Sequence, residues 1–154
     1  MSKFGRFLAA SALASAFATS AMAENNFDYA FQGTLKSLDP YTLRETFTLG
    51  ILTNVYEGLI KRGPNLEILP GLATSWEVIE PTRWRFHLRQ GVKFHNGNDF
   101  TAEDVVFSAE RLNSEGSDMK GRVPVDATFE IVDDYTVDVI LASPNPILHY
   151  EWEL

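Results

Sequence analysis

Two histidines followed by two acids are the residues best suited to chemistry in this sequence. His87 and His95 are separated by one strand and one turn, and Glu103 and Asp104 follow them. Imidazole and carboxylate groups are ligands of zinc. This spacing matches no helical or hairpin metal motif, because His87 lies on the polar side of an alternating strand and His95 begins a turn. We therefore expect histidines that face solvent or form hydrogen bonds, and no metal or other cofactor.

Covalent catalysis has little support. The sequence contains no cysteine and no G-x-S-x-G, so it lacks a catalytic thiol and a nucleophile elbow. The acid pairs Glu103/Asp104 and Asp133/Asp134 stand at a helix start and in a turn, where acids are common for local reasons. Hydrolysis by two carboxylates needs them on opposite sides of a cleft. The sequence thus favours a binding protein over an enzyme.

The first 23 residues are expected to be a secretory signal peptide. Lys3 and Arg6 precede an apolar run, and Ala21-Met22-Ala23 forms a small-x-small cleavage site. The apolar run is shorter than the ~20 residues of a spanning helix, so we expect no membrane anchor. The formal net charge of −8 argues against nucleic acid and anionic membranes as partners. We expect a soluble protein of the periplasm.

The elements that would position these residues centre on Trp84–Val105. Apolar and polar residues alternate over Trp84–Leu88, which predicts a half-buried strand paired with Trp76–Ile79 in a hairpin. Val92–His95 alternates again and predicts a second strand. Thr101 is a good N-cap for a helix that runs from Ala102 to about Leu112, although Asp104 stands where a capping box prefers glutamate. The aromatic residues of these strands are expected to form core.

The rest of the chain is expected to mix short strands with short helices, an α+β pattern. A helix is predicted over Arg44–Val55, with Phe47, Ile51 and Val55 on its apolar face and Gly50 weakening it. Another is predicted to begin near Ile147. Further strands are predicted at Asn26–Gln32, Leu59–Arg62, Leu66–Leu69, Phe129–Val132 and Thr136–Leu141.

Six motifs in one order carry a family resemblance. They are S-L-D-P at Ser37–Pro40, N-V-Y-E-G-L at Asn54–Leu59, P-G-L-A-T-S-W-E at Pro70–Glu77, W-R-F-H-L-R-Q-G-V-K-F-H-N-G at Trp84–Gly97, F-T-A-E-D-V-V-F-S at Phe100–Ser108 and V-D-D-Y-T-V at Val132–Val137. This string resembles the family 5 extracellular solute-binding proteins of ABC transporters, the dipeptide, oligopeptide and nickel-binding group. The resemblance covers Phe27 to about Leu148.

The resemblance implies an α/β fold of the periplasmic binding protein type II kind. Two lobes joined by a hinge enclose the solute, and an extra small α+β domain lies near the amino terminus. Residues 24–45 would then begin the first lobe, 46–141 would form the small domain, and 142–154 would begin the return to the first lobe. The sequence would be an amino-terminal fragment of a longer protein.

The resemblance also implies where solute would be contacted. In peptide-binding relatives the segment after L-D-P pairs with the ligand backbone. Here that segment is Leu43, Arg44, Glu45 and Thr46, in which Arg44 could meet a carboxylate and Glu45 an amino group. The loop around Gly121–Val123 is a second candidate, and solvated charges at a helix start are the alternative for Arg44 and Glu45.

The function implied is capture of dipeptides or oligopeptides in the periplasm and delivery to an inner-membrane permease, by a monomer. Three alternatives stay open. One is a member of the same family that binds nickel or sugar. Another is a secreted hydrolase whose catalytic residues lie beyond Leu154. The third is a periplasmic chaperone or sensor that uses the same scaffold. We also expect the fragment alone to bind solute poorly.

Overall fold

The computed structural model describes residue 30, residues 32–42 and residues 44–152. The chain divides into two compact units, Met1–Gln32 and Gly33–Leu154. The expected signal peptide and Leu43 lie outside the described residues, as does nearly all of the expected strand Asn26–Gln32. Every helix and strand below belongs to the second unit.

Short strands alternate with short helices in this unit. In chain order the elements are α1 Thr46–Leu52, β1 Ile60–Arg62, β2 Ile68–Pro70, β3 Ala73–Glu80, β4 Arg83–Leu88, α2 Ala102–Asn113, β5 Thr128–Asp133, β6 Thr136–Ile140 and α3 Leu148–Glu151. No helix in the described part of the chain is long and apolar enough to cross a bilayer.

Four strands form one antiparallel sheet in the order β3-β4-β6-β5, and β1 and β2 form a separate hairpin. The predicted hairpin β3-β4 is confirmed, and the strands predicted at Phe129–Val132 and Thr136–Leu141 form a second hairpin, β5-β6. They are joined side by side because β4 pairs with β6. One row of this register crosses all four strands, with Glu77, Arg85, Asp138 and Glu130 as successive partners.

The alternation in β4 sorts its side chains as predicted. Trp84, Phe86 and Leu88 are buried, and they share the core with Val137 and Val139 of β6. Burying an aromatic or aliphatic side chain of this size stabilises a fold by about 1.5–3 kcal/mol each. The other face of β4 carries charged and polar side chains. The strand therefore separates the core from a layer of ion pairs.

Helix α2 covers this core and begins with a closed cap. The Thr101 N–H donates to Asp104 Oδ2 at 2.8 Å, so the shorter aspartate still serves the position that usually prefers glutamate. Val105, Ala109 and Leu112 form its buried stripe. The start and the orientation of α2 are thus both determined locally.

Two local predictions are wrong. Val92–His95 is not a strand, because the chain turns within Phe94–Asn98 and leaves a single bridge between Lys93 and Asp99. Helix α1 ends at Leu52, three residues early, and its buried side chains are Thr48 and Leu52. The expected apolar face fails because the helix is too short to include Val55, which is 48% exposed.

Three of the family motifs interlock around Gly71. A Cβ on Gly71 would lie 2.5 Å from the Gly58 carbonyl oxygen and 2.9 Å from that of Leu59. Both carbonyls accept hydrogen bonds from the Gly71–Ala73 backbone. Arg89 then donates to the Gly71 carbonyl at 3.3 Å and pairs with Glu57. These motif residues hold backbone segments together, which accounts for glycine at position 71.

Candidate functional site

The L-D-P motif forms a tight, locally hydrogen-bonded segment, which we call the Asp-Pro segment (Ser37–Thr42). The Tyr41 N–H donates to Asp39 Oδ1 at 2.9 Å, an Asx turn of the kind that aspartate before proline favours. The Tyr56 hydroxyl donates to the Leu38 carbonyl at 2.9 Å. The chain that follows the Asp-Pro segment therefore leaves from a defined position.

Helix α2 and the loop after it hold the Asp-Pro segment. Arg111 Nη2 donates to Asp39 Oδ2 at 2.8 Å, and the Arg111 guanidinium lies 5.4 Å from the centroid of the Tyr41 ring. The Asp118 N–H donates to the Tyr41 carbonyl at 2.8 Å. A charged hydrogen bond, a cation–π contact and a backbone hydrogen bond together join the Asp-Pro segment, which precedes the first implicated stretch, to α2 and to the loop that contains the second.

The four residues predicted to contact solute follow this anchor directly. Leu43 lies outside the described residues. Arg44 is exposed and has no hydrogen bond or ion pair with any residue that the structure describes. Thr46 is exposed and begins α1. The guanidinium of Arg44 is thus accessible to a ligand.

Glu45 has a structural role as well. Its Oε1 accepts the Phe47 N–H at 3.1 Å, and its Oε2 accepts the Thr48 N–H at 2.9 Å and the Thr48 hydroxyl at 2.7 Å. These bonds, first that from the Thr48 hydroxyl, hold the pKa of the Glu45 carboxyl below its usual value. Glu45 therefore stays ionised as the N-cap of α1. A ligand amino group would have to share a carboxylate that already binds three donors.

The loop between α2 and β5 is anchored on both sides of its second candidate stretch. Met119 is 1% exposed and Val123 is 8% exposed. Between them Gly121 has φ of 81°, and Arg122 is half-buried. The Arg122 Nε is buried without an acceptor, and the Oδ1 of Asn113, the last residue of α2, is buried without a donor. Buried polar atoms usually have partners, which marks this stretch as unusual.

The same loop contains an S-x-x-K sequence, Ser117 to Lys120. Some serine hydrolases use this spacing for nucleophile and base. Here the Ser117 hydroxyl is buried and accepts the Met119 N–H at 3.1 Å, while Lys120 is exposed. The two side chains form no hydrogen bond, so this geometry does not activate a serine.

The histidine and acid residues do not form a site. His87 Nε2 lies 3.4 Å from Glu77 on the neighbouring strand, and His95 is exposed in its turn. Glu103 and Asp104 begin α2. The residues that the structure describes contain no cluster of three histidine, aspartate or glutamate side chains arranged to hold a metal ion.

An apolar groove of about 260 Å³ lies elsewhere on the unit. Its lining residues are Val78, Pro81, Trp84, Pro144, Asn145 and Pro146. None of them is charged, whereas recognition of peptide termini or organic acids needs charged or strongly polar groups. The junction of the Asp-Pro segment with the α2–β5 loop is therefore the better candidate.

The residues that build this junction could not be found from the sequence. Arg111 is half-buried against Asp39, which precedes it by 72 positions in the chain. Nothing in the sequence indicated the roles of Tyr56 and Asp118, since each donates a hydrogen bond to a backbone carbonyl that is distant along the chain. A positive charge just before the end of α2 indicated at most a favourable contact with the helix dipole.

Comparison with known proteins identifies the family. Residues 67–153, more than half of the chain, match the model for bacterial extracellular solute-binding proteins, family 5. The chain belongs to this family. The periplasmic oligopeptide-binding protein OppA of Escherichia coli K12 is 28% identical over 134 residues, which cover 75% of this chain and 25% of OppA. The chain thus spans about a quarter of the length of the relatives it matches.

Solved structures of family 5 proteins share the fold. The complex of Haemophilus influenzae OppA with the peptide RPPGFSPFR has a TM-score of 0.68 and 25% identity, covering 77% of this chain and 28% of that one. The complex of MoaA from A. tumefaciens R10 with mannopinic acid has a TM-score of 0.68 and 30% identity, covering 75% of this chain and 25% of MoaA. The described unit is therefore an α+β portion of the family 5 fold, and its relatives bind different solutes.

Proposed function

We propose that the full-length protein captures peptides in the periplasm and delivers them to the membrane permease of an ABC importer. It acts by binding and release, without bond chemistry, after export directed by residues 1–23. The observation that carries this proposal is membership of family 5, and the hydrogen-bonded junction of the Asp-Pro segment with α2 and the α2–β5 loop supports it.

Leu43, Arg44, Glu45 and Thr46 contact the bound peptide in this proposal. The Asp-Pro segment fixes where this stretch begins, and the N-cap of α1 fixes where it ends. Glu45 has extended φ and ψ angles of −131° and 130°, and an extended backbone can pair with a ligand backbone as an added strand does. The exposed Arg44 supplies a positive charge for an acidic group of the solute.

A second candidate is an opine or a similar sugar-derived acid. It is favoured by MoaA, which is 30% identical and whose structure holds mannopinic acid. A nickel complex is a third candidate ligand. All three ligands carry an acidic group that the exposed Arg44 can contact, so the described residues do not select among them.

Thermal unfolding of the full-length protein tests the proposal. Tri-alanine, mannopinic acid and nickel-histidine are added separately, each at millimolar concentration. A ligand at 100 times its dissociation constant stabilises the folded state by about 2.7 kcal/mol, so the melting temperature should rise clearly with tri-alanine. A shift with mannopinic acid or nickel-histidine alone would replace peptide transport by the corresponding alternative.

A turnover assay separates the binding protein from a hydrolase. The peptide is incubated with the full-length protein and its hydrolysis products are measured. We expect recovery of intact peptide. Hydrolysis that is abolished by one substitution would overturn the proposed mechanism.

A further inference from the structure

The two ends of the loop that contains α1 meet at one hydrogen bond. The Tyr56 hydroxyl donates to the Leu38 carbonyl at 2.9 Å, across 18 positions of the chain. The chain between them includes the stretch proposed to contact solute, which we call the contact stretch (Leu43–Thr46), and the whole of α1. A bond that closes such a loop reduces the number of conformations open to the residues inside it. Tyr56 therefore restrains the contact stretch through the ends of the loop.

The Leu38 end of this bond is anchored to α2. Asp39, the next residue, accepts a hydrogen bond from Arg111 Nη2 at 2.8 Å. The Asp39 N–H and the Thr42 hydroxyl both donate to the Ser37 hydroxyl, at 3.0 Å and 2.9 Å. The position of the Leu38 carbonyl is thus fixed by the turn around it and by the contact of its neighbour with α2.

The Tyr56 end is anchored to α1 and to the end of β4. The Tyr56 N–H donates to the carbonyl of Leu52, a buried residue of α1, at 2.8 Å. Glu57, the next residue, accepts a hydrogen bond at 3.1 Å from Nη1 of Arg89, which directly follows β4. The Tyr56 ring is therefore presented from backbone that is held on both sides, which lowers the conformational entropy lost when its hydroxyl forms a bond.

The Tyr56 hydroxyl joins two anchors that are distant along the chain. A charged bond to α2 holds the neighbour of Leu38, and a charged bond to Arg89 holds Glu57. The bond between Tyr56 and Leu38 is neutral and exposed, so it can break without unfolding either anchor. Such a bond affects the conformation of the contact stretch more than the stability of the fold.

We propose that Tyr56 is a positioning residue for solute binding. Its hydroxyl holds the contact stretch in the conformation that binds, so this surface is already formed before the ligand arrives. The proposal rests on the proposed function, since it concerns the same contact stretch. When only a fraction of the unbound protein has the binding conformation, the apparent dissociation constant rises in inverse proportion to that fraction. Loss of the hydroxyl should therefore slow association, whereas loss of a ligand contact mainly speeds dissociation.

Stopped-flow kinetics of tri-alanine binding to the full-length protein test this role. Tyr56→Phe removes the hydroxyl and keeps the ring. We expect association to slow by about threefold to tenfold, the range for one hydrogen bond, while dissociation stays unchanged. The melting temperature of the unbound variant should stay close to that of the unaltered protein, because the lost bond is exposed.

Tyr150→Phe is the matched control. Tyr150 is 47% exposed and Tyr56 is 48% exposed, and the Tyr150 hydroxyl has no hydrogen bond with any residue that the structure describes. Its loss should leave both rates unchanged. Faster dissociation from Tyr56→Phe would show instead that the hydroxyl contacts the solute. That result, or rates equal to those of the unaltered protein, would overturn the positioning role.

Hydrogen exchange of the unbound full-length protein provides a readout that does not depend on a ligand. The Tyr41 amide, which bonds Asp39 Oδ1, should exchange faster in Tyr56→Phe but not in Tyr150→Phe. Unchanged exchange would overturn the role of Tyr56 and leave peptide binding standing. Failure of the unaltered protein to bind tri-alanine would overturn the proposed peptide function and, with it, the role of Tyr56 in peptide capture.

Discussion

Asp138 and Arg85 face each other across β6 and β4 and form a two-point ion pair. Arg85 Nε lies 2.7 Å from Asp138 Oδ1, and Arg85 Nη2 lies 2.9 Å from Oδ2. Arg83 adds a third contact at 2.9 Å, and the Asp138 side chain is completely buried beneath them. The carboxylate thus links the two hairpins at the centre of the sheet.

Replacing Asp138 by Asn should loosen the central sheet. The substitution keeps the size of the side chain but leaves two guanidinium groups without their shared anion. Breaking a buried pair in this way costs about 3 kcal/mol. Hydrogen exchange of the β4 and β6 amides in the full-length protein should then accelerate by about a hundredfold. Glu130→Gln, which removes only an exposed partner of Arg83, should change exchange far less.

The same pair predicts how stability depends on pH. The hydrogen bond from Arg85, followed by that from Arg83, holds the pKa of Asp138 below its usual value, although burial opposes this. A lowered pKa in the folded state means that the stabilisation is fully present above the unfolded-state pKa of about 3.8 and is lost as pH falls through the folded-state pKa. In Asp138→Asn, the free energy of unfolding should therefore fall less steeply as the pH is lowered through this range. If stability fell with pH as steeply in Asp138→Asn as in the unaltered protein, Asp138 would not be the group responsible.

Two glycines should respond in opposite ways to alanine. At Gly71 the new Cβ meets backbone oxygen atoms of Gly58 and Leu59, which cannot move aside easily. Gly71→Ala should destabilise the protein by about 2 kcal/mol. At Gly50 nothing lies within 4 Å, so Gly50→Ala should stabilise α1 by up to about 1 kcal/mol. Thermal unfolding of both variants measures the difference, and similar shifts would argue against the interlocked motifs.

Removing the side chain of Arg111 should weaken solute binding from a distance. Arg111→Ala frees Asp39 and Tyr41, so the segment that leads to Arg44 loses its attachment to α2. We expect a roughly tenfold loss of affinity for tri-alanine, the effect of one charge-assisted hydrogen bond. Faster exchange of the Asp118 amide should accompany it. Glu110→Ala, at an exposed neighbour on the same helix, serves as the control.

His149 should make the docking of α3 sensitive to acid. Its ring lies 5.2 Å from that of Trp84 and 6.1 Å from that of Trp76, and its Nδ1 is buried without a partner. Burial lowers the pKa of His149, because the protonated ring would lose hydration there. The unfolded chain then takes up the proton first, so stability declines as pH falls below about 6.5.

A pH series of melting temperatures checks this behaviour. His149→Phe should remove the decline that begins below about pH 6.5, whereas His87→Gln, at a more exposed strand position, should retain it. A decline of equal size in His149→Phe would show that another group is responsible.

Several features of this chain could be derived from its sequence. The alternation of Trp84, Phe86 and Leu88, the hairpins on either side of it and the capped helix α2 depend on neighbouring residues, whose periodicity is visible in a single sequence. The ordered motifs identified the family, which the match over residues 67–153 confirms. The local pattern gave a wrong prediction at Val92–His95, because residues that alternate as in a strand there form part of a turn.

Only the tertiary structure decided which distant residues meet. Asp138 joins Arg83 and Arg85 because β6 lies beside β4, and Arg111 reaches Asp39 across 72 positions of the chain. The unpaired state of Arg122 is likewise a property of its surroundings. Charge and spacing along one chain cannot specify such contacts, since they depend on how separate elements pack. The sequence determined the elements and the family, and packing determined the junction where we expect the solute to bind.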